Sequence, residues 1–599
     1  MNILLRTFCA ALLCGSCLLS IKAQENQSYL LHTIEKGQSL YSIASMYGVS
    51  QADIVRLNPG SDDKIYVGKA LRIPLKAASR DAETYHTIVA GETLYSLSQV
   101  YRVSAKELCD ANPGLSADNF KVGQVIRIPP STLKDKTASR QPDGQKADTQ
   151  PEVKPRCRDM HKVKRRETVF KISRQYGITE AELIAANPEL KGESKIKRGT
   201  FLCIPYPTEA RSQEPTAAQH PATEPTNAEL FSENEEQAQP QQSLKAAIIL
   251  PFLSGKSTPQ SESGRMIEYY EGFLLAVDSL KRSGVSIELY AYDAGHSTAS
   301  LQNILSKSEL KGMDIIFGPL AHEQIPPLAD FARQHKIRLV IPFTSKDNTV
   351  FRNPMVYQIN TPQSYLYSEV YDHFVRQFPK ANVVFIEATQ GHGEKASFIK
   401  GLKEELQKHG TYTLKSLKED APVESLQATL ATDRENIFVP TSGSNLTLIK
   451  SLPQLTLLVR NNPEARIHLF GYPEWQTYTQ DHLETFFELD TYFYSSFYTN
   501  NLLPAAVSFT QDYRKWYSKD MDERYPKYGM LGFDTGYFFL KGLSLYGGGL
   551  ENNLQRLRPV PIQTGFKFQR VNNWGGFINR KVFFVHFTRE YELLKLDFD

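Results

Sequence analysis

Tyr29 to Pro74 reads YLLHTIEKGQSLYSIASMYGVSQADIVRLNPGSDDKIYVGKALRIP, and its pattern returns twice. Tyr85 to Pro129 reads YHTIVAGETLYSLSQVYRVSAKELCDANPGLSADNFKVGQVIRIP, and His161 to Pro205 reads HKVKRRETVFKISRQYGITEAELIAANPELKGESKIKRGTFLCIP. The spacing is tighter than the identities. His32 to Ser50, His86 to Ser104 and His161 to Thr179 each span 18 positions, and Asn58, Asn112 and Asn187 each follow 8 later. Self-similarity at a fixed period marks one small unit used repeatedly.

Elementary rules shape that unit. His-Thr-Ile or His-Lys-Val alternates as a short strand does; a turn at Gly37 or Gly91 follows, then a helix with Leu40, Ile43, Ala44 and Tyr47 on one face. A second helix opens at Ser50-x-x-Asp53, Ser104-x-x-Glu107 or Thr179-x-x-Glu182, each a hydroxyl for an orphan amide and a carboxylate at the positive helix end. Asn-Pro ends it, because proline disfavours helical backbone in the residue before it. A last strand such as Leu71-Arg72-Ile73 closes a strand, helix, helix, strand unit of about 45 residues.

These repeats resemble the LysM module in four features: the H-x-[IV]-x-x-G-[EQ]-[ST]-L start, the [YF]-G-[VI]-[ST] junction, the N-P stop and the G-x-x-[IL]-x-[IV]-P end. The resemblance implies binding of N-acetylglucosamine glycans of peptidoglycan or chitin, in a groove between the first turn and the loop after the second helix. Carried over by position, the groove uses Gly37, Gln38, Ser39, Leu40, Asn58 and Pro59 in the first copy. Gly91, Glu92, Thr93, Leu94, Asn112 and Pro113 serve in the second, and Glu167, Thr168, Asn187 and Pro188 in the third. The third departs from the pattern: Arg166 replaces the glycine, Val169 the leucine, and nine Lys or Arg lie between Lys154 and Arg174. A solvated basic face on a spacer module is the plainer reading of that copy, and contact with an anionic envelope polymer the sharper one.

From Leu244 onward strands and helices alternate, which predicts a doubly wound α/β architecture. Lys245 to Phe252, Ser286 to Asp293, Asp314 to Phe317 and Arg338 to Pro342 are apolar, β-branched runs suited to parallel strands buried on both faces. Ala381 to Glu387, Asn436 to Val439, Arg466 to Phe470 and Tyr492 to Phe497 form a second set, so two lobes are expected. The phrases KAAIILPF, GRMIEYYEGFLLAVDSL, YDAG, IIFGPL, VIPFTS and NPMVYQINTPQS, in that order, resemble the type I periplasmic-binding-protein fold. That resemblance implies a cleft at the carboxyl ends of the strands, lined by Ser254, Asp293, Gly318, Pro319, His322, Thr344, Ser345 and Gln390. Gly318-Pro319-Leu320 lacks the hydroxyls with which amino-acid binders of the fold clamp their ligand. GPLAHEQIPPLADF is similar instead to lipoproteins that activate penicillin-binding proteins.

The chain is 599 residues with a net charge of +3, which gives bulk electrostatics no claim on nucleic acid. Residues 1–23 read as a secretory signal: Arg6, an apolar run from Phe8 to Ile21, then Ala23. That run is shorter than the ~20 residues a membrane span needs, and no comparable run follows in the mature chain. A lipoprotein reading at Cys17 would strand the apolar Leu18 to Ile21. Cys109, Cys157 and Cys203 remain in the exported chain. Cys157 and Cys203 bracket the third unit, whose terminal strands pair, and a disulfide between them is expected; two reduced thiols is the alternative. Residues 131–156 and 207–243 are polar and Pro-rich, read as disordered tethers that let the head and the large domain move independently. The units are therefore 29–75, 85–130, 157–206 and 244–599.

Enzyme signals are weak. No H-E-x-x-H or Gly-x-Ser-x-Gly occurs, and Ser397-x-x-Lys400 lacks its companion motifs. Three scattered cysteines make no zinc site, and no cofactor is implied. Tyr528 to Tyr546 reads as a core helix rather than a carbohydrate platform, with Asp534 taken as a helix-start acid. The resulting expectation is a non-enzymatic envelope protein that holds peptidoglycan glycan strands and presents a two-lobed domain to a protein partner or ligand, with a role in wall synthesis. A wall-anchored sensor or uptake protein for a small molecule or peptide is the alternative, and a wall hydrolase a third.

Overall fold

The computed structural model describes residues 29–75, 84–130, 159–163, 168–176, 178, 180–187, 201–205, 225–233, 238–252, 261–389, 394–501 and 503–598. Each repeat is a two-stranded antiparallel sheet carrying two helices. β1 (Tyr29–Thr33) pairs with β2 (Ala70–Pro74), β3 (Thr84–Thr87) with β4 (Val125–Ile128), and β5 (Asp159–Lys162) with β6 (Phe201–Ile204). Ser104 and Glu107 form the expected reciprocal cap. At Ser50, Asp53 is one methylene shorter and accepts from the Ser50 hydroxyl at 2.7 Å rather than from its amide. Thr179 lies outside the described residues.

The rest of the chain is α/β and two-lobed. The first lobe holds β7 (Ser243–Leu250), β8 (Ser286–Asp293), β9 (Ile315–Phe317), β10 (Arg338–Ile341) and β11 (Val356–Gln358). The second holds β12 (Ala381–Glu387), β13 (Thr413–Lys418), β14 (Glu435–Pro440), β15 (Ile467–Gly471) and β16 (Thr491–Ser495). The chain then returns β17 (Phe568–Arg570) and β18 (Phe577–Asn579) to the first sheet and β19 (Phe583–Phe587) and β20 (Leu593–Asp597) to the second. Two seven-stranded sheets result, ordered β17-β18-β11-β10-β9-β7-β8 and β13-β12-β14-β15-β16-β19-β20. Both are parallel except at β17 and at β19 and β20, which pair antiparallel. Burial on both faces explains the unbroken apolar run of β7, whose last five residues are fully buried.

Tyr528–Tyr546 is a helix packed on Glu262–Arg282, as a core helix should be. Glycines set the approach: a methyl at Gly272 would overlap the Gly529 carbonyl, and one at Gly532 the Tyr269 carbonyl. Asp534 is not at the helix start but in its middle, fully buried, where it accepts from the amides of Ile562, Gln563 and Thr564 at 2.7–2.8 Å.

Two expectations about the tethers need correction. Within 207–243, Asn227–Ser232 is helical and buries Leu230 and Phe231 against the second repeat; the two apolar residues give the tract a face worth burying. The first two repeats are also not independent of the large domain. Tyr47 and Tyr85 pack edge to face at 5.1 Å, and both lie on Trp574 of the first lobe, at 5.6 and 5.1 Å between ring centroids. Tether length sets reach, but it does not prevent two apolar faces from docking. Residues 1–28, with the expected signal, and 131–158 lie outside the described residues.

Candidate functional site

In the first two repeats one histidine organises the first turn, and in all three it meets a tyrosine of the helix that follows. His32 Nε2 donates to Gln38 Oε1 at 2.7 Å, which leaves Nδ1 to accept from the Tyr47 hydroxyl at 2.8 Å. His86 stands 2.7 Å from Glu92 Oε2 and 2.9 Å from the Tyr101 hydroxyl, and His161 stands 3.0 Å from that of Tyr176. Gln38 and Glu92 also accept the amides of Glu35 and Val89, so both side chains brace the turn. Ser39 and Thr93 cap the helices that follow, accepting from the amides of Ser42 and Ser96. Thr168 does the same for Lys171.

The asparagine of Asn-Pro is a bracket. Asn58 Nδ2 donates to Ile54 O and Arg72 O, and its Oδ1 accepts the Arg72 amide; Asn112 and Asn187 repeat this with Arg127 and Cys203. The amide ties the second helix to the last strand, and both its N–H donors are used within the fold. Pro59 and Pro113 stay exposed beside it. Glu167 and Pro188 lie outside the described residues. Cys203 is disulfide-bonded; Cys157, its expected partner, lies outside the described residues. Cys109 is a free thiol, pushed up to about 11 chiefly by burial.

The first and second turns differ in surroundings. Gly37 and Gly91 share φ +87, yet a β-carbon at Gly37 would lie 2.7 Å from Tyr365 Cδ1, whereas at Gly91 nothing lies within 4 Å. Tyr365 belongs to the Gln363–Gln377 helix, just past the first crossing from lobe to lobe. The first repeat grips the second lobe further through ion pairs of Lys36 with Asp372 and of Lys64 with Glu404, the latter at 3.0 Å. It touches the first lobe at Trp574 and at Arg352, which faces Gly48. One small domain therefore spans both lobes. Leu94 of the second repeat is fully buried, and its amide donates to Asn227 Oδ1 at 2.8 Å.

A pocket of 510 Å³ opens where the first repeat meets both lobes, lined by Ser39, Tyr41 and Ser42 from the repeat, Ser345 and Asp347 from the first lobe, and Tyr367, Tyr371 and Ser397 from the second. It unites Ser39 and Ser345, which the sequence assigns to two separate sites. Asp293, Gly318, Pro319, His322 and Thr344 do not line it. The Asp293 carboxylate instead accepts the amides of Phe252 and Gly295, Gly318 and Pro319 are buried across a cis peptide, and His322 is exposed. The Thr344 hydroxyl accepts the Lys346 amide. Ser254 and Gln390 lie outside the described residues. Tyr41, Tyr367 and Tyr371 were missed by sequence reasoning, because only tertiary docking brings them together. Among the described residues no three His, Cys, Asp or Glu side chains converge as metal ligands would, and no helix is long and apolar enough to cross a membrane.

Residues 32–74, 86–129 and 161–205 each match the family model of the LysM domain. The chain carries three LysM domains. Similar proteins include an autolysin of Enterococcus faecalis, 29% identical over 170 residues that cover 26% of this chain and 22% of that protein. Intracellular hyphae protein 1 of Colletotrichum lindemuthianum is 27% identical over 119 residues, 16% of this chain and 52% of its own. N-acetylmuramoyl-L-alanine amidase sle1 of Staphylococcus epidermidis is 25% identical over 126 residues, 20% of this chain and 39% of its own. The chain thus spans about half or less of the length of these relatives. Among solved structures, an ABC transporter substrate-binding protein of Desulfitobacterium hafniense in complex with Leu aligns over 59% of this chain and 100% of its own, with TM-score 0.33 and 15% identity. An ABC-type branched-chain amino acid transporter of Rhodopseudomonas palustris aligns over 59% and 96%, with TM-score 0.38 and 13% identity.

Proposed function

We propose that this chain is a non-enzymatic, exported cell-envelope protein that engages the N-acetylglucosamine glycan of peptidoglycan through its LysM domains and presents the two-lobed domain to a protein partner or ligand, in the service of wall synthesis. The observation that carries the glycan half is the threefold recurrence of the LysM domain, beside a similarity to an autolysin and an amidase. The partner half draws on the docking of the first LysM domain across both lobes, which makes lobe closure and the disposition of the head one mechanical problem. A head bound to a polymer would thereby bias the lobes, and several weak modules on one chain gain avidity on a repeating polymer.

The second reading, capture of a small ligand, is favoured by the composite pocket. Tyrosines and hydroxyls without a lysine or arginine, and with Asp347 as the acid in the lining, suit a hydroxyl-rich ligand that carries no negative charge, such as a neutral wall sugar. The decisive experiment is cosedimentation of the full chain, without residues 1–23, with insoluble peptidoglycan. Retention in the pellet, released by soluble N-acetylglucosamine oligomers, supports the proposal, and a protein left wholly in the supernatant ends it. Melting shifts with soluble wall fragments, lost in Ser345→Ala, would instead favour the small-ligand reading.

A further inference from the structure

We infer that the groove of the second LysM domain is a binding site for the Thr226–Ser232 segment of this same chain, which stands where an N-acetyl sugar would enter, so that segment and glycan exclude each other. The inference rests on the glycan reading above and adds to it an occupant already in place.

The contact begins with an orphan donor. Leu94 is the first residue of its helix, so its amide has no partner within the helix. Asn227 Oδ1 accepts from it at 2.8 Å. An asparagine side chain is a carboxamide, and so is the acetamido group of an N-acetylated sugar; both present a carbonyl oxygen of the same strength and geometry. The segment continues away from that bond as a six-residue helix, which inserts Leu230 and Phe231 among Leu94, Leu108 and Leu115. Phe231 lies 6.1 Å from Phe120, in the loop after the second helix of the domain. The segment therefore runs from the first turn to that loop, the two walls of the groove.

Its internal order is local and cheap to lose. Glu229 Oε2 accepts the Thr226 amide at 2.8 Å and Thr226 Oγ1 accepts that of Glu229 at 3.3 Å, a reciprocal cap. A helix this short does not persist alone in water, so its order depends on docking. The first LysM domain provides the contrast. There Tyr365 of the large domain fills the space at Gly37, whereas nothing lies within 4 Å of a β-carbon at Gly91 and the segment meets the neighbouring Leu94 through its amide. A tethered competitor lowers the apparent affinity of any free ligand by the fraction of time it vacates the site.

The test uses the full chain, with N-acetylglucosamine pentamer as probe and hydrogen–deuterium exchange as a second readout. Asn227→Ala and the double change Leu230→Asp, Phe231→Asp alter the segment and leave the domain's own residues intact. The expected result is that the double variant binds the pentamer at least about tenfold tighter than wild type. Saturating pentamer should also expose amides 226–232 of wild type to exchange while protecting 91–94. Equal affinity in both proteins, tighter binding by wild type, or a pentamer complex in which 226–232 stays protected overturns the competition alone. Failure of both proteins to bind, with 226–232 freed in the variant, overturns the glycan reading together with it.

Discussion

Gly37 of the first LysM domain lies against Tyr365 of the second lobe, so closely that a β-carbon on the glycine would stand 2.7 Å from the ring. Its counterpart Gly91 has the same φ of +87 and open space around it. Alanine at either site incurs the same backbone strain, on the order of 1–2 kcal/mol. Only at Gly37 must the docked lobe also yield, which overpacking places at about 1–3 kcal/mol more. Gly37→Ala is therefore expected to lower stability beyond Gly91→Ala by that margin in urea denaturation. Equal losses would mean that the first domain does not dock through its turn.

Trp574 is the keystone of the same junction. It is 2% exposed and touches Tyr47 of the first LysM domain and Tyr85 of the second. Trp574→Ala removes the common surface and leaves a cavity, a loss of about 3–5 kcal/mol. Because the lost contacts join domains, the expected sign is faster cleavage of the chain in limited proteolysis. A variant that melts lower but is cleaved as wild type would confine Trp574 to the core of the first lobe.

How much of this was legible in the sequence follows from the range of each interaction. β7 and β12 were readable because burial on both faces demands unbroken apolar runs; β8, read as buried on both faces, is instead an edge strand with Ile287 alone fully covered, found through its Ile, Leu and Tyr residues. β13, TLKSLK, was not, because an edge strand half in water alternates with polar residues. The bracket made by Asn58, Asn112 and Asn187 had a signal in its constant spacing, but that spacing fits a ligand contact equally well. His32 with Tyr47, His86 with Tyr101 and His161 with Tyr176 are each 15 apart and could have been found as a pair. The meeting of Ser39 with Ser345, and of Leu94 with Asn227, depends on packing between distant segments, for which a single sequence carries no register.

His32 makes the first domain sensitive to acid. Burial lowers its pKa from 6.5 to about 4, against the opposing bond to Gln38. In the unfolded chain it protonates near 6.5, so between pH 6.5 and 4 the unfolded state binds the extra proton. Stability present above that window is lost as pH falls through it, by about 3 kcal/mol for a shift of this size. Wild type should therefore lose more stability than His32→Gln between pH 7 and pH 4. Parallel pH profiles for the two proteins would remove His32 from the account.

Asp534 runs the other way. Burial raises its pKa from 3.8 to about 6, although the amides of Thr564, Ile562 and Gln563 favour the charged form. Between pH 3.8 and 6 the folded state holds a proton that the unfolded chain has released, so this contribution is full at acid pH and declines as pH rises through the window. Asn cannot titrate, and its single carbonyl oxygen replaces two carboxylate oxygens that serve three N–H donors. At least one buried amide then loses its partner or faces the new NH₂ group, at a cost of about 1–3 kcal/mol. Asp534→Asn should accordingly destabilise the protein, and more at pH 4.5 than at pH 7.5, by urea denaturation at each pH. A larger loss at pH 7.5 would show that Asp534 is anionic throughout and that its three amide donors, not its burial, govern its proton.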